Sequence, residues 1–293
     1  MSYEQAPVRP GEWRYERLTW PEINTAVAEK RVVIVPVGSV EQHGYHLPLD
    51  VDLRLSTSVC HGAGQAAAGE VLVMPSVSYG YCHHVMDFPG TMNIEPTTFV
   101  RHLLDITRSL AYHGFKRIIL VNVHGSNHPL VEQVGRQTNL QTDALCCTFS
   151  WWNLIAEYWN AELRDSVIPG GCAHACELET AMYMHIAPED VRMDRIVGAP
   201  PNFLNDIPDA KKWQAVDLTA ANGPGTIVEW TSTYSATGSF GEPEKATAEK
   251  GRMVYERAVG ELVGLARWFR NRPAPPRVEH HATPPTFGLP CQY

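Results

Sequence analysis

Runs of apolar residues, broken by glycine and proline, divide the chain into alternating strands and helices. Val32-Val33-Ile34-Val35-Pro36-Val37 is apolar throughout, as a strand buried on both faces requires, and 31–38 is read as the first strand. Residues 13–30 before it read as the start of an amphipathic helix, with Trp20-Pro21-Glu22 near its N-terminus. Leu53–Ala68 carries small and apolar residues and is expected to be helical, with Gly69 near its end. Val71-Leu72-Val73-Met74-Pro75 is a second short strand. A clearer helix starts at Pro96-Thr97-Thr98, with Phe99, Val100, Leu103, Leu104, Leu110 and Ala111 close to helical spacing and Gly114 as its stop. Arg117–Val123 and Ala144–Phe149 read as strands flanking a helix from Pro129 to Leu140. Glu244–Phe269 reads as a long final helix, and Asn202–Gly241 as irregular excursions or short hairpins. This alternation predicts an α/β domain, layered α/β/α, with a mostly parallel central sheet and helices on both faces. No internal repeat or linker divides it, so residues 1–271 are read as one domain and the proline-rich 272–293 as a surface arm.

Composition narrows what such a domain can do. The 293 residues are 44% hydrophobic and 19% charged, ordinary for a globular protein with a sizeable core. A net charge of −8 disfavours nucleic acid or an acidic membrane as partner, since both call for a basic face. No apolar run is long enough to span a bilayer, and MSYEQAPVRPGEWRYERLTW has no apolar core of a signal peptide, so the expectation is a cytoplasmic protein. The seven cysteines are odd in number and form no CxxC, as suits reduced thiols. Cys172-Ala173-His174-Ala175-Cys176 lacks the second ligand pair that a structural zinc knot needs.

Three clusters carry candidate chemistry. The first follows the first strand and contains Glu41, His43, His46 and Asp52 in a loop closed by glycine and proline. The second, His124-Gly125-Ser126-Asn127-His128, follows the strand ending at Val123. The third is His174-Ala175-Cys176-Glu177-Leu178-Glu179-Thr180, at a helix start after Pro169-Gly170-Gly171. Ligands of open α/β sheets bind beyond the carboxyl ends of the strands, so the two histidine loops can converge there. Carboxylate and imidazole together suit zinc, manganese or iron, and a two-metal site needs five or so such ligands with open positions for water and substrate. His46 and His128 are candidates for orienting a ligand rather than binding metal, and Glu177 for a carboxylate that complements the helix dipole.

The sequence resembles the creatininase (creatinine amidohydrolase) family. The matching segments are Gly38–Gly44, Leu47-Pro48-Leu49 with Asp52, Phe88-Pro89-Gly90-Thr91, Asn122–Asn127, His174-Ala175 through Glu179-Thr180, and Gly241-Glu242-Pro243 with Ala246 and Glu249-Lys250-Gly251. They run in the family's order over most of the chain. The resemblance implies two divalent metal ions per chain (Zn, Mn or Fe), a small-molecule substrate and a homo-oligomer, often a hexamer. It implies that Glu41 and His124 bind one metal, that His43 binds the other, and that Asp52 bridges them. It also implies that Glu179 completes the second site and that His174 transfers protons. Asn127 is expected to hold its loop or to donate to an oxyanion.

Departures from the family pattern bear on substrate. Ser126 stands where creatininases have a metal-binding glutamate, Gly125 where they have a tyrosine, and 167–172 lacks their lid tryptophan. Trp151 and Trp152 lie near another substrate-facing tryptophan, and Tyr81, His83 and His84 lie in a loop expected to contact substrate. The expectation is therefore a hydrolase that opens a small cyclic amide, or a related ring carbonyl compound other than creatinine, by attack of a metal-bridging hydroxide. The alternative is C–C hydrolysis of a cyclic diketone in inositol breakdown, as by 3-dehydro-scyllo-inosose hydrolase, which a polar, hydroxyl-rich pocket would suit. A non-catalytic metal-binding oligomer subunit is the remote alternative.

Overall fold

The computed structural model describes residues 4–199, 203–220 and 223–283. Its centre is a four-stranded, wholly parallel sheet in the order β2-β1-β3-β4. The strands are β1 (Val32–Val37), β2 (Val71–Val73), β3 (Arg117–Asn122) and β4 (Leu145–Ser150). All six residues of β1 are buried, which explains why its sequence is apolar without alternation. Helices α2 (Val51–Ala66), α3 (Pro96–Tyr112) and α4 (His128–Gln141) make the crossovers between consecutive strands.

The alternating faces of the strands feed two cores. Val32 and Ile34 pack with Ile119 and Val121 against α2 and against two later helices, α5 (Glu177–Ile186) and α6 (Ala248–Asn271). Val33, Val35 and Val37 pack with Ile118 and Leu120 against α3, α4 and the short α1 (Trp20–Ala28). The result is the expected α/β/α layering.

Element ends differ from expectation where caps decide them. The first helix begins at Trp20 and not near residue 13, because Glu22 reaches back to the Thr19 N–H at 2.7 Å and closes a capping box. The last helix begins at Ala248, where Thr247 accepts the Lys250 N–H at 3.2 Å. The stretch expected to be irregular is so, with only short helical turns and the two-residue strand β6 (Phe240–Gly241), which pairs antiparallel with β5 (Cys172–His174). Residues 272–283 are exposed, and the rest of the proposed arm, 284–293, lies outside the described residues. No helix among the described residues is long and apolar enough to cross a membrane.

Two features of this scaffold set up the site. The chain reverses its direction of travel across the sheet between β1 and β3, so the loops after these neighbouring strands flank one crevice. Gly38, just past β1, lets the start of α2 come against it: a Cβ there would lie 2.8 Å from Leu53 Cα and 2.9 Å from Leu53 N. That approach brings Asp52 to the end of β1. Gly38→Ala is expected to push α2 outward and cost about 1–3 kcal/mol, the usual penalty of overpacking. Urea denaturation measures it, and a midpoint equal to that of the unaltered protein would show that the approach is not tight.

Candidate metal centre

Asp52, in the first turn of α2, faces two imidazoles at once. Its Oδ1 is 3.5 Å from His43 Nε2 and its Oδ2 is 3.3 Å from His124 Nδ1. Glu41 Oε1 lies 3.2 Å from the same His124 nitrogen, 3.3 Å from His174 Nδ1 and 3.9 Å from His43 Nε2. His43, Asp52 and Glu179 offer donor atoms within 4.8 Å of one another, and so do Glu41, His43 and His174. The three sequence clusters therefore meet, carried by the β1 loop, the β3 loop and the β5–α5 connection. Ala175 between β5 and α5 has φ +47°, an uncommon conformation for a residue with a Cβ.

Backbone carbonyls fix which ring nitrogens face the cluster. His43 Nδ1 is 3.2 Å from the Glu41 carbonyl, leaving Nε2 inward. His124 Nε2 is 3.0 Å from the Tyr81 carbonyl, leaving Nδ1 inward. His174 Nε2 is 2.8 Å from the Gln42 carbonyl, leaving Nδ1 toward Glu41. Such outer contacts are how proteins set the tautomer of metal-binding histidines. Ser39 donates a short hydrogen bond to Asp52 Oδ2. Glu179, at the third position of α5, accepts the Cys176 N–H at 3.3 Å.

The electrostatics are those of buried charges that balance one another. Burial opposes ionisation of Glu41, yet His124 and His174 hold its carboxyl down at about 2. Burial likewise opposes the charge on His43, but Asp52 beside it raises the pKa to about 9. His124 is raised well above the ordinary histidine value, against burial, chiefly by Glu41. Asp52 is held low by His43 and His124 despite its burial. Glu179 goes the other way, pushed up to about 7 by burial. Glu41 Oε2 and His43 Nε2 are buried with no hydrogen-bond partner. Leaving a buried polar atom unpaired costs about 1–3 kcal/mol, so two in one cluster point to a missing partner. The donor chemistry fits a divalent cation, which accepts lone pairs from carboxylate and imidazole alike.

The centre lies in a cavity of about 760 Å³. Tyr81, His83, His84 and Trp152 line it; His84 stacks at 5.8 Å on His124, and burial lowers its pKa to about 4. Trp151 does not reach the cavity. It is 1% exposed and packs in the core beneath, because the tight turn Trp151–Leu154 sends adjacent side chains in different directions. Asn127 does not face the cavity either: its Oδ1 accepts the Tyr81 N–H at 2.9 Å and its Nδ2 donates to the Gly38 carbonyl at 3.1 Å, so the amide ties three loops together and does not aim at a substrate. His46 and His128 contact the hydroxyls of Thr180 and Ser150, each at 2.9 Å. Glu177 points away from the cluster, pairing with Lys250 and accepting the Ser166 N–H at 2.8 Å.

Sequence reasoning missed Cys82, 3.7 Å from His124 Nε2, and the far wall of the cavity, formed by Ile227, Val228, Trp230, Tyr234 and Phe240. That wall adds apolar surface to a cavity whose lining also carries the hydroxyls of Tyr81, Ser126, Thr226, Thr231 and Tyr234. Aromatics interspersed in the irregular stretch were the available signal, since loops carry function more often than they carry packing.

The chain is similar to known proteins along most of its length. The family described as creatininase, creatinine amidohydrolase, matches residues 16–266. A creatinine amidohydrolase of Pseudomonas putida is 28% identical over 268 residues, covering 85% of this chain and 94% of that protein. A mycofactocin precursor peptide peptidase of Mycobacterium tuberculosis (strain CDC 1551 / Oshkosh) is 30% identical over 248 residues, 81% of this chain and 85% of that one. A 3-dehydro-scyllo-inosose hydrolase of Thermotoga maritima is 23% identical over 275 residues, 90% and 86%. Among solved structures, a manganese creatininase superposes with a TM-score of 0.73 at 25% identity, covering 89% of this chain and 100% of that one. A creatininase point mutant of Zn–Zn type does so with 0.71 at 26% identity, covering 89% and 99%.

A proton-filled cluster of this kind must release protons when metal enters, because a coordinated imidazole cannot keep the proton on the donor nitrogen. With His43 at about 9 and His124 also raised, both carry protons at neutral pH. Loading zinc or manganese into metal-free protein near pH 7 is expected to release roughly two to three protons per chain, one each from His43 and His124 and a fraction from Glu179, whose carboxyl is pushed up to about 7. Metal affinity should rise with pH through the range in which His43 and His124 lose their protons, about 9 for His43. Calorimetric titration in buffers of different ionisation heat measures this; a heat independent of the buffer would refute it.

Proposed function

The chain belongs to the creatininase family and is a metal-dependent hydrolase, and we propose that it cleaves an amide C–N bond in a substrate larger than creatinine, at a centre for two divalent ions. The observation that carries this reading is Asp52 lying between two imidazoles, with Glu41 Oε2 and His43 Nε2 unpaired beside it. In it Glu41 and His124 would hold one ion and His43 and Glu179 the other, with Asp52 shared between them. Zinc, manganese and iron all suit these donors. Ions held there supply an acidified water as nucleophile and polarise the scissile carbonyl.

The side chains supply the rest. His174 is pushed down to about 4 by burial and by His43, so it is neutral at pH 7. Its Nδ1 is therefore able to take a proton from the attacking water and pass it to the leaving nitrogen. The Gln42 carbonyl at its Nε2 keeps that nitrogen facing inward. Trp152 and Val123 close the cavity around the reacting atoms and limit stray water. A cavity of about 760 Å³ is of the size that takes drug-sized ligands, which a five-membered ring would leave largely empty. C–C cleavage of a cyclic diketone would use the same cluster. Two of the three relatives compared, the creatinine amidohydrolase and the peptide peptidase, are by name hydrolases of C–N bonds, so amide hydrolysis is the reading adopted. The same reading takes the enzyme to be a cytoplasmic homo-oligomer, six copies by family resemblance. The six described cysteines, all free thiols, support a reducing compartment.

Two sets of variants test the assignments. Glu179→Gln is expected to lower metal content and activity together, and Glu177→Gln to leave metal content unchanged, since Glu177 is engaged by Lys250. Elemental analysis decides, and the opposite pattern would move the ligand to Glu177. His174→Ala is expected to keep its metal while turnover falls by roughly two to four orders of magnitude, the usual contribution of a positioned proton-transfer group. Loss of metal in that variant would make His174 a ligand instead.

A further inference from the structure

A row of rings leads from the mouth of the cavity to the metal centre. At the mouth, His83 lies 5.1 Å from Trp230 between ring centroids, and the turns that carry them are joined by a short hydrogen bond from Ser232 to Asp87. Further in, Tyr234 lies 4.9 Å from Phe240, Phe240 lies 6.2 Å from His174, and His174 lies 4.3 Å from His43. The wall is fixed to the centre at its inner end, where Gln42 donates to the Gly238 carbonyl at 3.0 Å. Gly238 has φ +84°, and a Cβ on it would lie 2.0 Å from Gln42 Oε1, so the turn fits only without a side chain. Outward, Ile227, Val228 and Trp230 are 57%, 61% and 43% exposed. Apolar groups left in water beside a reaction centre gain free energy when a ligand covers them.

The charge of the cavity is one-sided. No lysine or arginine lines it among the described residues, whereas Glu229 stands on this wall and Asp217 lies nearby. Arg164 is spent on Asp217, 2.6 Å away. An anionic group held on this side would face Glu229 and find no cation to receive it, so the wall disfavours negative charge.

Resting on the amide-hydrolase reading, we infer that the wall at 226–240 is the specificity surface of the site, with Trp230 its principal contact, and that it selects amides bearing an apolar aromatic or aliphatic group without negative charge at the end remote from the scissile bond. Phosphorylated and sulfonated substrates are excluded by the same wall.

The test is binding, measured on the metal-loaded enzyme by tryptophan fluorescence and calorimetry, with N-benzylacetamide and its para-sulfonated analogue as probes. The neutral probe is expected to bind at least tenfold more tightly than the sulfonated one. Trp230→Ala should weaken the neutral probe roughly tenfold, the scale of a lost aromatic contact, and Trp230→Phe should restore most of it. On any aryl amide that is turned over, Trp230→Ala should raise KM more than it lowers kcat. Equal binding of the two probes, or of the neutral probe to enzyme and variant, would overturn the inference. So would a change of oligomeric state in Trp230→Ala by light scattering with both probes weakened alike, which would make the wall an interface between copies. If the probes bind as expected but no amide is hydrolysed, the amide reading fails and the specificity surface stands.

Discussion

Three carboxylates and three imidazoles share one largely buried cluster, and their charges must cancel there or the fold cannot hold them. An uncompensated charge at such depth costs several kcal/mol after relaxation. In the metal-free protein the compensation comes from protons: His43 and His124 are raised against Glu41 and Asp52, while Glu179, with less to neutralise it, is pushed toward its neutral form. Divalent ions would bring positive charge to the same carboxylates without the protons. The donor atoms that protons leave unpaired, Glu41 Oε2 and His43 Nε2, are the ones such ions would satisfy.

Much of the scaffold serves to hold this arrangement still. The parallel sheet is buried on both faces, so the ends of β1 and β3 are fixed relative to each other, and Gly38 brings α2 to the same point. The third contributor, β5–α5, is held from behind: Glu177 is locked to Lys250 on α6 and to the N–H of Ser166. Glu177 and Glu179 are two positions apart on one helix and so face different ways. One builds the support and the other meets the centre. A site spread over three segments stays accurate only when each is anchored by groups outside the site.

This division accounts for which parts of the molecule are legible in its sequence. Periodicity reports burial, so the strands, the crossover helices and the layering were legible, while element ends shifted, most where Thr19 and Thr247 set the helix starts, and the short β5–β6 pair was not foreseen. The cluster was legible because packing alone rarely gathers acids and imidazoles at strand ends, and the family pattern ordered them. Trp151 and Trp152 could not be told apart, since a single tight turn sends one into the core and leaves the other on the cavity. Asn127 was ambiguous for a similar reason: an amide beside a histidine suits an oxyanion or a loop tie equally well until its partners are seen. The wall at 226–240 has no periodicity at all, so only its three-dimensional position reveals that its aromatics face the centre.

The two halves of the cavity therefore obey different physics. At the inner end, directional donors and balanced charge leave little freedom, because any side-chain change strands a buried partner. At the outer end, contacts are apolar and partly wet, so a substitution alters affinity by the area it covers and leaves the centre intact. Relatives that act on creatinine, on a precursor peptide and on an inosose can then share one fold and differ in what they admit. Ions bind the folded cluster and not the dispersed ligands, so they stabilise the native chain by mass action. Gln42 joins the two halves physically, touching His174 by its carbonyl and Gly238 by its side chain.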